Sequence, residues 1–280
     1  MSELAWTARS AIVLAHKEFR DALRNRWFWL FSGAFTLLAV GVSWLGLAGI
    51  GGTGVAGFGR TAASLINLVL LFVPMMGLVL GALSLAGERE SGAMLYLLAQ
   101  PVTIYDLLAG KLLGLGAAVT GVIAIGFAMS GLVVAWHGAA QVKPFAAIAG
   151  LTVALALISL SLGLCISAAP RRSATAVGFG LFVWLTLAFL GDLGIMGTAI
   201  AFRLDAGMLL TLVLLNPLQV CKIAAVMALQ GGLDVLGPAG LLALRLYGDR
   251  LWALLGLVLF AWWAIPITVA AMLLRWRGGL

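Results

Sequence analysis

Apolar stretches about as long as a bilayer is thick recur along this chain, and that recurrence limits its fold more than any other feature. A hydrocarbon core of about 30 Å needs roughly 20 apolar residues per helix. Six runs meet that length: Phe28 to Gly49, Ala62 to Leu85, Leu112 to Trp136, Phe145 to Ala168, Ala174 to Ile195 and Leu251 to Leu274. A helix satisfies its own backbone groups, which is what lets a segment cross lipid. The expectation is an all-α integral membrane protein with six transmembrane helices. Of the 280 residues, 63% are hydrophobic and 10% charged, against about 25% charged in soluble domains. No room is left for a sizeable aqueous domain, so the chain reads as one membrane domain over residues 1–280. Its parts are an interfacial helix (1–27), spans one to five (28–202), a periplasmic segment (203–250) and span six (251–274). The first apolar run lacks a small-x-small end, so it is expected to stay as a span rather than leave as a signal peptide.

The net charge of +7 does not point to nucleic acid, because the basic residues stand in short clusters beside apolar runs. With the N-terminus inside, the inner segments hold 11 of the 17 basic residues and the outer segments 6. The positive-inside rule therefore puts both termini in the cytoplasm, as for a protein of a bacterial inner membrane. Cys165 and Cys221 have no partner motif, so neither a disulfide framework nor a metal site is expected.

Ahead of the first span, Ile12, Phe19, Leu23 and Trp27 recur at spacings of seven and four, with Lys17, Arg20 and Arg24 on another side. That pattern predicts an amphipathic helix on the inner membrane surface. Trp27, Trp29, Trp136, Trp252 and Trp276 fall where aromatic residues anchor spans to the interface. Gly77 with Gly81, and Gly110 with Gly114, have the spacing that lets helices approach closely.

Between the second and third spans the chain turns abruptly from lipid-like to charged: Gly87-Glu88-Arg89-Glu90-Ser91-Gly92, then an amphipathic stretch as far as Pro101. Thr103 and Asp106 have capping-box spacing and predict the start of the next helix. By itself such a run reads first as a solvated connector. A short helix held between two rigid spans is also built to transmit force.

Here the residues resemble a known family. The charged turn from Gly87 to Gly92, the stretch Leu95 to Pro101 and Gly110-Lys111 are similar to the coupling-helix region of ABC permeases of the type 2 exporter class. His16 to Trp27, Leu38 to Gly46, Phe72-Val73-Pro74 and Leu214 to Pro217 resemble its NosY-type branch, which serves nitrous oxide reductase maturation. Ala93 and Ile104 depart from the family pattern, where Thr and Arg are usual. The resemblance implies that Glu88, Arg89, Glu90, Gly92 and Leu95 contact a cytoplasmic ATPase, and that reversing Glu88 and Glu90 to Lys uncouples the complex while sparing insertion. It further implies a permease homodimer with two ATPase copies and a periplasmic partner that supports copper-site assembly. No phosphate-cradling GxxxxGK[ST] loop occurs in the chain, so ATP and its magnesium are expected on the separate ATPase, and no cofactor in this chain.

Asn216 and Pro217 can cap and open a helix through Cys221 and Lys222. That helix is placed on the outer face, either as a docking surface for a periplasmic partner or as a seal of the outer mouth. Asp192, near the outer end of the fifth run, is a candidate pathway carboxylate or an interfacial one. Nothing in the sequence groups the side chains that catalysis needs. Two other readings stay open: an ion-gradient-driven transporter using Asp192, and a membrane scaffold that moves nothing.

Overall fold

The computed structural model describes residues 2–48, 55–100, 102–138, 141–189, 191, 206–229 and 246–276. Among them there are helices and no strand. In chain order these are α1 (Ser2–Arg24), α2 (Arg26–Ala48), α3 (Val55–Glu90), α4 (Ala93–Leu98), α5 (Ile104–Trp136), α6 (Val142–Ser167), α7 (Ser173–Phe189), α8 (Ala206–Leu214), α9 (Pro217–Ala228) and α10 (Leu251–Trp276), the last led in by a 3-10 turn at Gly248–Arg250.

Five of these helices, α2, α3, α5, α6 and α10, are long and apolar enough to cross a membrane, and α8 with α9 makes a sixth if that bent pair is one span. The chain is a multi-pass membrane protein. The fifth expected span, Ala174 to Ile195, appears as α7, which has 17 residues; Asp192 lies outside the described residues. The stop expected at Asn216-Pro217 is present as a bend of 105° between α8 and α9.

α3 packs most extensively on α6, and α1 on α5. Glycine is what allows both contacts. A Cβ on Gly81 would stand 2.6 Å from the Leu160 carbonyl oxygen, and one on Gly163 2.6 Å from that of Leu78. Here backbone meets backbone. Gly110 and Gly114 do the same for α1: their Cβ atoms would fall 2.5 Å from Leu14 Cβ and 2.4 Å from the Ala15 carbonyl oxygen. The Ser167 hydroxyl joins the first pair further, donating to the Ala82 carbonyl and accepting from the Ala86 amide, each at 2.7 Å.

The main core is shared by α2, α3, α5, α6 and α9, around Phe35, Val73, Met76 and Leu155. A smaller cluster closes one end of the bundle: Leu85 of α3, Met94 of α4, Leu107 and Leu108 of α5, Leu164 of α6 and Leu274 of α10.

α1 is helical as expected, and its apolar stripe is not the side that packs on the bundle. Leu14, Glu18 and Ala22 are buried, whereas Ile12, Phe19, Leu23 and Trp27 are exposed. Amphipathicity marks an apolar stripe without saying whether protein or lipid covers it. In this chain the side that packs on α5 is made of Leu14, alanines and the carboxylate of Glu18.

Candidate functional site

α3 ends where its sequence turns charged. Gly92 takes φ of 75°, a left-handed conformation that glycine adopts without Cβ strain, and α4 starts immediately after it. α5 then begins with the capping box read from the sequence: the Thr103 hydroxyl accepts from the Asp106 amide while the Asp106 carboxylate accepts from the Thr103 amide. A six-residue helix is thus held between helices of 36 and 33 residues.

The three successive charged residues at the end of α3 reach three different places. Glu88 turns inward to an ion cluster. Its carboxylate lies 2.8 Å from Lys111 Nζ of α5 and 2.8 Å from Lys17 Nζ of α1. Lys111, with only 1% of its side chain exposed, also stands 2.9 Å from Glu18 of α1. Lys17 completes the ring through Glu18 at 3.2 Å and Asp21 at 3.7 Å. Partial burial disfavours the Lys17 charge, but the hydrogen bond to Glu88 and the nearby carboxylates outweigh it and hold the ammonium pKa above its ordinary value.

Arg89 points towards α6, donating to the carbonyl oxygens of Ser167 (3.1 Å), Ala168 (3.0 Å) and Pro170 (3.3 Å). These include carbonyls that a helix C-terminus leaves without an internal partner. Glu90 caps the other side of that corner: its carboxylate accepts from the Ser173 amide at 2.9 Å and from the Ser173 hydroxyl, at the first residue of α7. Hydrogen-bond reach thus ties one turn of α3 to α1, α5, α6 and α7.

The structure gives Glu88, Arg89 and Glu90 partners inside the chain. All three bind other helices of their own chain, and Glu88 and Arg89 are largely withdrawn from solvent. The exposed surface here is made by Glu90 and Ser91 at the end of α3 and by α4, where Met94 is buried while Leu95 is 59% and Tyr96 81% exposed. Tyr96 was not singled out from the sequence, although it stands next to Leu95 in an amphipathic helix. Nor was the pairing of Lys17 with Glu88 or of Glu18 with Lys111, because a contact across some 70 to 90 residues leaves no local pattern.

At the α8–α9 bend, Asn216 Oδ1 accepts from the Leu218 amide at 3.0 Å and its Nδ2 donates to the Leu187 carbonyl at 2.7 Å. The cap is as expected. The surface is not: Asn216, Pro217 and Cys221 are buried, with the Cys221 thiol directed at the Leu151 carbonyl. α9 packs into the bundle against α6 and α10, and only Lys222 of the four candidates keeps partial exposure.

The family model for ABC-2 family transporter proteins matches residues 12–276, which includes α1 from Ile12 onward, the Glu88 cluster and the long apolar helices. The chain belongs to the ABC-2 family of transporters. Two curated relatives agree with this over nearly their whole length. It is 30% identical over 275 residues to the probable ABC transporter permease protein NosY of Pseudomonas aeruginosa, covering 94% of this chain and 97% of that protein. It is 29% identical over 272 residues, with the same coverage, to the protein of that name from Stutzerimonas stutzeri. This ABC-2 chain is therefore a homologue of NosY permeases, and an ATPase partner follows from the family.

Proposed function

We propose that this chain is the membrane-spanning subunit of an ATP-driven complex in which α4 receives the motion of a separate ATPase and passes it to the bundle. One observation carries the reading: α4 exposes Leu95 and Tyr96 while its Met94 is buried among residues of α3, α5, α6 and α10. Pressure on such an element moves the helices it is packed against rather than a loose loop. Leu95, with Tyr96 beside it, is the docking contact. Gly92 sets the turn that presents them. Glu88, Arg89 and Glu90 relay the displacement to α1, α5, α6 and α7 instead of meeting the ATPase directly.

In this reading ATP and magnesium sit on the ATPase, two copies of which serve a permease homodimer in a bacterial inner membrane with both termini cytoplasmic. The NosY relatives support a place for the complex in nitrous oxide reductase maturation, with a periplasmic protein for copper-site assembly as partner and Lys222 as its remaining candidate contact.

The test is co-purification of the ATPase with the permease carrying Leu95→Glu and Tyr96→Glu together. Both side chains are exposed, so the variant should insert and melt like the parent while losing the ATPase. Unchanged association would overturn the assignment.

A further inference from the structure

α3 runs unbroken through Pro74. Proline has no amide hydrogen, so the Leu70 carbonyl lacks the donor that a helix supplies four residues on, and the ladder of α3 is weakest there. In lipid such a gap is tolerated when a neighbouring helix answers for the freed groups. Trp184 of α7 supplies a donor one residue away: its Nε1 donates to the Leu71 carbonyl at 2.9 Å.

Pro74 divides α3 into a far arm, 55–73, and a near arm, 75–90, which leads into α4. The two arms are held differently. The near arm meets α6 backbone to backbone: a Cβ on Gly77 would stand 3.0 Å from the Ala156 carbonyl oxygen. Gly81, the Ser167 hydroxyl and Arg89 continue that contact to its end. The far arm leans on α2. The Phe72 ring centre lies 5.9 Å from that of Phe31 and 6.1 Å from that of Phe35, and a Cβ on Gly46 would stand 2.6 Å from Thr61 Oγ1. Between the far arm, α6 and α9 a cavity of about 10 Å³ remains, beside Val69, Leu70, Leu151, Thr152 and Cys221.

α7 lies across the break. On the near side of Pro74, Ala176 packs with Ala82 and Ala86, and a Cβ on Gly180 would stand 3.6 Å from the Leu78 carbonyl oxygen. On the far side Trp184 holds Leu71. Glu90 fixes the first residue of α7 to the near arm, and Asn216 ties Leu187, close to its other end, to the α8–α9 bend.

We propose that Pro74 is a hinge in α3, that α7 is its splint, and that the Trp184 indole is the latch. Its release lets the near arm tilt with α4 and α6 while the far arm stays with α2. Bending there gives up one polar bond from α7 rather than an intact helical ladder. That the hinge serves coupling rests on α4 receiving the motion of the ATPase; the hinge and its latch stand without it.

The experiment is hydrogen exchange by mass spectrometry on the full-length permease in mild detergent, followed through peptides covering 70–78 and 79–86. In the parent, 70–78 should exchange faster. Trp184→Phe keeps a ring and removes the donor, and it should speed exchange at 70–78 about fivefold, the effect of one ordinary hydrogen bond. Pro74→Ala restores the missing amide and should slow exchange, and in that background Trp184→Phe should have no effect. Equal acceleration by Trp184→Phe in both backgrounds would reduce the indole to packing and overturn the latch. Exchange in the parent no faster at 70–78 than at 79–86 would overturn the hinge. If Pro74→Ala does not fold, the parent profile and Trp184→Phe decide by the same two comparisons.

The use made of the hinge is read separately, on the complex with its ATPase. A non-hydrolysable ATP analogue should raise exchange at 70–78 in the parent and not in Pro74→Ala, with the ATPase retained by both. Exchange indifferent to nucleotide in a complex that does form would overturn the coupling role. Failure of any ATPase to bind would instead count against the assignment of the subunit, leaving the result on the isolated permease intact.

Discussion

Lys111 holds its ammonium 2.8 Å from the Glu88 carboxylate with 1% of its side chain exposed. A buried pair of this kind is weak evidence of net stability, because desolvation opposes the attraction, but losing one partner strands the other. Lys111→Met should cost about 3 to 5 kcal/mol, read as a large fall in the melting temperature of the detergent-purified protein. Adding Glu88→Gln should recover part of that loss. An additive double variant would mean the pair is not coupled. Lys17→Gln, at a side chain 41% exposed, should cost no more than about 1 kcal/mol.

The Glu88 cluster also changes what charge reversal tests. Glu88→Lys places a third cation beside Lys17 and Lys111, so it should destabilise the bundle before any question of coupling arises. Glu90→Lys acts at an exposed position and should leave the protein folded. Comparing expression and melting of the two variants separates them, and equal behaviour would contradict the geometry.

Arg89 donates to three carbonyl oxygens at the end of α6. Hydrogen bonds to charged groups contribute about 1.5 to 3 kcal/mol, so Arg89→Met should lower stability by about that much. Lys should rescue only partly, because its single ammonium lacks the planar fork that spans several acceptors. Thermal melting of the two variants checks this; full rescue by Lys would reduce the role to charge alone.

The glycines divide sharply by position. Gly81→Ala must displace the backbone of α6, 2.6 Å from its Cβ, and overpacking of this kind costs about 1 to 3 kcal/mol. Gly87→Ala meets nothing within 4 Å and should be neutral or gain up to about 1 kcal/mol from helix propensity. A pair of melting curves decides it.

Much of this was legible before the structure. Hydropathy locates the long helices, Thr103 with Asp106 announces the start of α5, Asn216 with Pro217 marks the bend, and both Gly pairs sit at helix contacts. These signals are local or periodic. The partners of Glu88, Arg89 and Glu90 were not legible, because those contacts join segments far apart in sequence. The inward placement of α9 was hidden for another reason: in lipid a buried helix and an exposed one are both apolar, so Cys221 and Pro217 carry no mark of which side they face.

Glu88, Arg89 and Glu90 stand about 100° apart around α3 and are each anchored to a different neighbour. A helix held on successive sides cannot spin about its own axis without releasing several anchors at once. It can still tilt or slide if its neighbours follow. Whatever stroke this permease makes, that corner suppresses rotation of α3 and leaves concerted tilting or sliding with its neighbours as the motion the bundle can carry.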